Sequence, residues 1–246
     1  MPSVDKHILL VTPVWNDSFR LSKFGAGLAH ALAASSLSVH WVISDDGSSS
    51  EVDKLKHLVA DFAEVYPKVS YLRCPNRFRK GGAIYQAWDS DQSADLYAFV
   101  DADGAIGATT VVDLLKRSQA SNDVVVGVRQ NTSDNPVHRP LGRSLSFGLF
   151  TFLVRSLLGV AFTDTQCGVK VVPAAAFRSR RSRLLECGFV FDVELLLALQ
   201  QFGCRITEVP IPWSEMPNGK VHPLRDAWAM LLGLLRIRRR LKDGAY

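Results

Sequence analysis

The chain has 246 residues, 47% of them hydrophobic, and this length can bury a full core in one large domain or two small ones. Its formal net charge of +5 favours anionic partners such as nucleotides, phospholipids or nucleic acid. No apolar stretch reaches the roughly 18–20 residues of a membrane-spanning helix, and the N-terminus lacks a signal-peptide pattern, so we expect a cytoplasmic protein. The four cysteines lack zinc-site spacing and are expected to be reduced thiols.

Strand and helix signals alternate through the first half of the chain. Strands are predicted at residues 7–14, 39–44, 69–74, 96–100 and 123–128. Helices are predicted between them at residues 17–34, 49–65, 80–88 and 109–118. This alternation predicts an α/β fold, in which helices cover both faces of a mostly parallel sheet.

The second half of the chain is less regular. It is predicted to contain a polar loop at 130–140, an apolar helix at 141–160, a strand at 169–172, a helix at 191–202, a strand at 205–209 and an irregular segment at 210–223. A final helix is predicted at residues 224–241. Loops as long as the first one are often functional.

Two acidic motifs stand directly after predicted buried strands. They are Asp45-Asp46-Gly47-Ser48 and Asp101-Ala102-Asp103-Gly104. Ligands of α/β proteins bind at strand ends, so we expect Asp101 and Asp103 to bind one divalent cation there. Asp45 and Asp46 can accept hydrogen bonds from a base or a ribose. Both motifs are also good turn sequences, and a turn that leads into a helix is the alternative.

Three further motifs carry aromatic and basic side chains. Trp15, in the segment 13–17 that ends the first strand, can pack on a base or a sugar. The basic loop 76–83 contains two glycines and opens a helix, where backbone N–H groups favour phosphate. Arg139 and Arg143 lie near the start of the apolar helix and suit bidentate phosphate contact. The alternatives are a strand-to-helix cap, a solvated loop and ordinary surface charge.

Taken in order, these motifs resemble those of the inverting family 2 glycosyltransferases with the GT-A fold. The matching segments are Pro13-x-x-Asn16-Asp17, Asp45-Asp46-Gly47-Ser48, Asn76-x-x-x-Lys80-Gly81-Gly82-Ala83 and Asp101-x-Asp103. Three later segments, at 139–143, 164–170 and 191–195, narrow the resemblance to the polyprenyl-phosphate sugar transferases. Within that group, Asp164-Thr165-Gln166-Cys167-Gly168 is closer to the dolichyl-phosphate glucosyltransferases than to the mannosyltransferases.

The resemblance also implies a domain organisation. A GT-A domain would occupy residues 1–223, with a nucleotide-sugar half at about 1–128 and an acceptor half at about 129–223. Residues 224–246 would form an amphipathic helix with a basic end and a short tail. Such a helix can lie in an anionic membrane interface, and the alternative is a helix that packs on the core.

Roles for individual residues follow from the same resemblance. The nucleotide-sugar site would comprise Pro13, Trp15, Asp17, Asp45, Asp46, Lys80 and Asp101. Mg²⁺ or Mn²⁺ would be held by Asp101 and Asp103. The catalytic set would comprise Asp103, Asp164, Arg139 and Arg143. The two arginines would meet the acceptor phosphate, and Asp164 would lie beside the metal. Gly104-Ala105 stands where the mannosyl enzymes often carry a leucine and a polar residue, so one side-chain ligand is missing.

The expected activity is transfer of a sugar from a nucleotide donor, with UDP-glucose preferred, to a polyprenyl phosphate. The protein would associate peripherally with the cytoplasmic face of a membrane and would not bind nucleic acid. An enzyme that uses GDP-mannose or a soluble hydroxyl acceptor is an alternative. Asp164, Asp192 and Glu194 are candidates for the base that a hydroxyl acceptor needs. A catalytically silent nucleotide-binding module at a membrane surface is the remaining alternative.

Overall fold

The protein is built around a seven-stranded sheet with helices on both faces. The computed structural model describes residues 5–132, 137–138, 141–214, 216 and 223–246, without the side chains of 137–138, 141–145 and 223–225. The strands of the sheet are β1 (Ile8–Val14), β2 (Val39–Asp45), β3 (Val69–Arg73), β4 (Leu96–Val100), β5 (Val124–Val128), β7 (Val169–Pro173) and β8 (Ile206–Pro210). A separate parallel pair consists of β6 (Val137–His138) and β9 (Trp213–Ser214).

The strand order across the sheet is β3-β2-β1-β4-β7-β5-β8. Strand β7 runs antiparallel to β4 and β5, and the other described pairs are parallel. The prediction of a mostly parallel α/β sheet is therefore confirmed. The antiparallel β7 also brings its N-terminal end, at Gly168, to the edge of the sheet where β4 ends.

The helices include all of those predicted and one that was not. They are α1 (Ser18–Ala33), α2 (Val52–Val65), α3 (Arg79–Ser90), α4 (Ala108–Gln119), α5 (Leu141–Leu158), α6 (Ala174–Arg180), α7 (Phe191–Gln201) and α8 (Pro223–Lys242). Helix α6 and the 3₁₀ turn Arg181–Arg183 that follows it were missed. The seven residues of α6 are too few to show a helical period, although Pro173 marks its start.

The start of α2 differs from the prediction for a physical reason. The sequence Ser48-Ser49-Ser50-Glu51 predicted a helix from residue 49, but α2 begins at Val52. The backbone N–H groups of Ser49 and Ser50 instead donate to Asn16 Oδ1, at 3.0 and 3.3 Å. The Glu51 carboxylate accepts the N–H of Ser18 at 2.7 Å, and so serves the start of α1. These polar residues join two loops at the end of the sheet.

Alternating side chains of the strands form a core on each face of the sheet. In β1, Ile8 and Leu10 belong to the core that includes residues of α1, α2 and α4, while Leu9 and Val11 belong to the core that includes residues of α3, α6 and α7. The second core is rich in aromatic residues, and Trp88 stacks on Tyr97 with ring centroids 5.4 Å apart. Both faces are thus closed to water, and the exposed ends of the strands are left for a ligand site.

Helix α8 packs on the second core by one face. Leu234 and Ile237 are fully buried, and a Cβ placed on Gly233 would lie 2.4 Å from Val190 Cγ2, so helix and neighbour approach closely. On another face, Trp228, Leu232 and Leu235 are exposed. No helix in the described part of the chain is long and apolar enough to cross a bilayer.

Candidate active site

A cleft with a volume of about 250 Å³ lies at the carboxyl ends of β1, β2 and β4. The parallel pairing of these strands places the segments that follow them at one edge of the sheet. The predicted site residues that line the cleft are Pro13, Trp15, Asp17, Asp46, Lys80, Asp101 and Asp103. Residues from four separate motifs therefore meet in one place.

Lys80 and Asp101, which both line the cleft, form an ion pair. Lys80 lies in the first turn of α3, and its Nζ is 2.7 Å from Asp101 Oδ1. The ammonium group also lies 5.0 Å from the ring centroid of Phe99. Burial lowers the pKa of Lys80, but the charges of Asp101 and Asp192 outweigh burial, and the pKa stands above its usual value. Lys80 is therefore a firmly cationic group at the start of a helix, where a diphosphate is favoured.

Asp103 is held beside Asp101 by a tight turn. Gly104 has φ of +74°, which glycine tolerates, and the N–H of Ala105 donates to Asp103 Oδ1 at 3.0 Å. Burial and the adjacent charge of Asp101 raise the pKa of Asp103. The sequence predicts a turn as the alternative to a cation site. The structure contains both the turn and two carboxylates that line the cleft.

Gly168 allows Asp101 to occupy its position. A Cβ on Gly168 would lie only 2.5 Å from Asp101 Oδ2, so any larger residue would displace the carboxylate. The Gly168 carbonyl also accepts the N–H of Asp101 at 2.9 Å. The segment 164–168 consequently fixes one wall of the acidic site.

The two aspartates that follow β2 have different environments. Asp45 is fully buried, where it accepts the N–H of Ser48 at 2.8 Å and the hydroxyl of Tyr71 at 2.5 Å. Asp46 lines the cleft and accepts the N–H of Phe78, at the start of α3, at 2.6 Å. Burial raises the pKa of Asp46. Asp45 therefore braces the loop in this structure, and Asp46 is the one of the two that faces the cleft.

The first motif contributes an aromatic wall with paired charges. The guanidinium carbon of Arg77 lies 3.3 Å from the centroid of the Trp15 ring. Arg77 also approaches Asp46, with 3.8 Å between Nε and Oδ2. Asp17 forms an ion pair with Arg20, one turn further along α1. Because this wall combines an aromatic face with cations, it suits a base and a phosphate.

Asp164 is buried beside the cleft instead of lining it. Arg129 holds its carboxylate with two side-chain bonds, Nε to Oδ2 at 2.6 Å and Nη2 to Oδ1 at 2.8 Å. Backbone N–H groups of Arg129 and Gln166 donate to it as well. Burial raises the pKa of Asp164, but the Arg129 guanidinium outweighs it and brings the pKa below its usual value. This geometry makes Asp164 an anchor of the segment 164–168.

The other two candidate bases are also paired. The fully buried Lys170 reaches Asp192, with 2.6 Å between Nζ and Oδ1. Glu194 Oε1 accepts Arg240 Nη2 at 2.6 Å and the hydroxyl of Tyr246 at 2.7 Å. Neither carboxylate lines the cleft, which fits a structural use of both groups.

Arg139 lies outside the described residues, and of Arg143 only the backbone, in α5, is described. Their predicted contact with an acceptor phosphate stays a prediction. The sequence reasoning missed Arg20, Arg77, Arg79 and Arg129. Arg77 and Arg79 fall inside the basic loop 76–83, for which the sequence predicts phosphate contact without assigning it to either residue. Arg129 directly follows β5, and this position at a strand end is the one feature of the sequence that could have marked it as a site residue.

The residues present fit a divalent cation that also binds a diphosphate. Hard cations take oxygen ligands, and Asp101 and Asp103 supply carboxylates from one turn. Within the described residues, no three acidic, histidine or cysteine side chains gather closely enough to form a complete ion site. Phosphate oxygens and water commonly complete the coordination of Mg²⁺ that is held by one or two carboxylates.

The chain belongs to glycosyl transferase family 2, whose sequence profile matches residues 10–181. It is 29% identical over 228 residues to dolichyl-phosphate beta-glucosyltransferase ALG5A of Trichomonas vaginalis. That alignment covers 87% of this chain and 68% of the relative. It is 30% identical over 217 residues to dolichyl-phosphate beta-glucosyltransferase of Homo sapiens. That alignment covers 83% of this chain and 65% of the relative. The chain thus spans about two thirds of the length of these relatives.

A solved structure shares the fold. Glucosyl-3-phosphoglycerate synthase from Mycobacterium tuberculosis, in complex with Mn²⁺, UDP-glucose and phosphoglyceric acid, superposes with a TM-score of 0.64 at 14% identity. The match covers 94% of this chain and 78% of that one. Identity this low shows the fold, and the predicted GT-A fold is confirmed. The protein is a glycosyltransferase, as the motifs predicted.

Proposed function

We propose that this enzyme transfers glucose from UDP-glucose to a polyprenyl phosphate, with inversion at the anomeric carbon and with a divalent cation. The observation that carries the proposal is the cleft, which joins Trp15, Lys80 and the pair Asp101 and Asp103. The names of the two dolichyl-phosphate glucosyltransferase relatives support the sugar and the acceptor. The Mn²⁺ and UDP-glucose in the superposed synthase support the donor and the metal.

The donor would lie along the cleft with its parts divided between the walls. Trp15 would contact the nucleoside, and Asp46 and Asp17 would accept hydrogen bonds from it. Lys80 would bind the diphosphate at the start of α3, where the helix dipole also favours negative charge. Asp101 and Asp103 would hold Mg²⁺ or Mn²⁺, which when bound offsets the charge that develops on the leaving diphosphate.

A phosphate acceptor suits this site better than a hydroxyl acceptor. A sugar hydroxyl needs a general base, and each of the three candidate carboxylates is already paired with a cation. A phosphate monoester is an anion near pH 7, since its second pKa is about 6, and it needs little help from a base. Its oxygen would attack the anomeric carbon opposite the leaving group, and the C–O bond to the diphosphate would break as the new bond forms.

The protein would contribute position and charge to this step. Lys80 would stay protonated and keep contact with the diphosphate as negative charge grows there. The Arg129–Asp164 pair would hold the segment 164–168 against Asp101, and so would keep the acidic site in place. Arg139 and Arg143 are further candidates for contact with the acceptor, as the sequence resemblance implies.

Membrane contact would occur through the exposed apolar residues of α5 and α8. Leu149 and Phe152 of α5 and Trp228, Leu232 and Leu235 of α8 are all at least 40% exposed. The basic residues Arg238 and Arg239 follow them on α8. Apolar burial together with attraction to anionic lipid would hold such a surface on a bilayer. Arg236 and Arg240 are less suited to this role, because both pair with Glu186.

The test is a screen of nucleotide sugars against three acceptors: a polyprenyl phosphate, the matching polyprenol, and a soluble sugar. We expect a lipid-linked product from UDP-glucose and the polyprenyl phosphate, and little product from the other two acceptors. Transfer to the soluble sugar alone would replace the proposed acceptor. Nucleotide binding without any sugar release or transfer would identify a silent binding module.

A further inference from the structure

A second cavity adjoins the cleft, and both are lined by Arg79, Gly188 and Phe189. This helix groove has a volume of about 360 Å³ and lies between residues 186–190 and α8. Its wall on α8 includes Ala229, Met230 and Leu232, and Val190 faces it from the other side. The groove therefore continues the cleft toward the apolar surface of α8.

Arg79, at the junction of the two cavities, has an unusual backbone conformation. Its φ is +65°, in the left-handed region that glycine adopts freely and that residues with a Cβ adopt at a cost. Strained residues of this kind cluster at binding sites, where the side chain has a use that offsets the strain. A glycine would satisfy the backbone at this position, so the arginine side chain itself needs an explanation.

Arg79 also differs from the other cations of the cleft in its ion pairing. Lys80 is paired with Asp101, Arg77 approaches Asp46, and Arg20 is paired with Asp17. Within the described part of the chain, no carboxylate lies at ion-pair distance from the exposed guanidinium of Arg79. Its side chain runs alongside Gly188, since a Cβ on that glycine would lie 3.6 Å from Arg79 Cδ. The guanidinium thus stands where the cleft opens into the groove.

We propose that Arg79 binds the phosphate of a prenyl phosphate, and that the helix groove receives the first isoprene units of the same molecule. The groove also contains Glu186 and Arg236, but these two charges pair with each other at 2.7 Å. An anionic head with an apolar tail therefore matches the cation of Arg79 at the end of a groove lined by Val190, Met230 and Leu232. The guanidinium also suits bidentate contact with phosphate. This inference rests on the proposed function for the class of acceptor, and it adds a specific phosphate-binding residue and a path for the prenyl tail.

Direct binding tests the contact at Arg79. Calorimetry would compare farnesyl phosphate and UDP binding to the wild type, Arg79→Gly, and the exposed control Arg205→Gly. We expect Arg79→Gly to weaken farnesyl phosphate at least about tenfold, the loss of a charged hydrogen bond, and to leave UDP within about twofold. Its melting temperature should not fall, because glycine accepts the positive φ. Unchanged farnesyl phosphate affinity, or a loss confined to UDP, would overturn the assignment.

Chain length tests the groove. In the wild type, farnesyl phosphate should bind more tightly than isopentenyl phosphate, because its longer chain buries more apolar surface. Ala229→Glu, which places a charge in the groove, should abolish this gain. Ala227→Glu, at an exposed position of α8 outside the groove, should keep it. A gain that survives Ala229→Glu would place the chain elsewhere.

The two proposals fail separately. If the wild type transfers sugar to polyprenyl phosphate while Arg79→Gly keeps the full acceptor kcat/KM, the proposed function stands and this inference is wrong. If the wild type transfers no sugar but binds farnesyl phosphate in an Arg79-dependent way, the inference stands and the proposed reaction is wrong.

Discussion

The substitution Arg129→Met removes the cation that neutralises the buried Asp164. The Asp164 side chain is only 1% exposed, and two side-chain hydrogen bonds from the guanidinium would be lost. Methionine fills a similar space with an apolar chain, so the change isolates the charge. In this variant the carboxylate of Asp164 would stay buried without a counter-ion, which costs folding free energy.

The expected size of the effect follows from the burial. Breaking a buried ion pair from one side costs about 3–5 kcal/mol. Two backbone N–H donors, from Arg129 and Gln166, still reach the carboxylate, so we expect about 3 kcal/mol. A domain is stable by only about 5–15 kcal/mol, so this loss is a large fraction of the whole. Adding Asp164→Asn should recover about 1 kcal/mol or more, because the buried charge is then gone.

Urea denaturation followed by tryptophan fluorescence measures the effect, with Arg205→Met as the matched control. The Arg205 side chain is 82% exposed, and its Nε is 3.9 Å from Asp123, so that change should cost under about 0.5 kcal/mol. The pair lowers the folded-state pKa of Asp164, so its stabilisation is present above the unfolded pKa of about 3.9 and is lost as pH falls through the folded pKa. The difference in the free energy of unfolding between Arg129→Met and wild type should therefore become smaller as the pH falls through this range. A gap under about 1 kcal/mol at pH 7 would refute the reasoning.

Three further predictions concern the cleft and the membrane surface. EDTA should abolish transfer and Mg²⁺ or Mn²⁺ restore it, and Asp103→Asn should lose at least about 100-fold in kcat while staying folded. Gly168→Ala should lower kcat at least about tenfold by displacing the adjacent carboxylate, whereas Gly148→Ala, with open space around it, should not. Replacing Arg238 and Arg239 with glutamine should weaken binding to anionic vesicles, by about 1 kcal/mol per charge at low salt.

Each of these has an outcome that contradicts it. Full activity in EDTA would show that transfer does not need a divalent cation. Equal activity of the two glycine variants would show that Asp101 tolerates displacement. Vesicle binding that is insensitive to both salt and the arginine changes would leave α8 as a core helix, and would direct attention to Leu149 and Phe152 of α5.

The sequence was sufficient for the first five strands of the sheet and for the location of the cleft. Apolar runs that alternate with amphipathic segments indicated β1 to β5, and a candidate functional motif followed each of β1, β2, β3 and β4. Because parallel strands end at one edge, Trp15, Asp46 and Asp101 could be expected to meet without knowledge of the structure.

Partners distant in sequence could not be predicted in the same way. The pair Arg129 and Asp164 joins groups 35 residues apart, and nothing in either segment specifies the other. The strain at Arg79 is equally hidden, because a positive φ in a residue with a Cβ has no sequence signal. The buried role of Asp45 depends on Tyr71, which reaches it from the neighbouring strand.

The anomeric configuration of a lipid-linked product tests the central claim most directly. The purified protein would be incubated with UDP-α-glucose, a polyprenyl phosphate and Mg²⁺, and the product analysed by mass spectrometry and by NMR of its anomeric proton. The account predicts a β-linked glucosyl phosphate on the lipid, formed by wild type and lost in Asp103→Asn. An α-linked product would contradict inversion, and the absence of any lipid-linked sugar with every nucleotide sugar would contradict the proposed reaction.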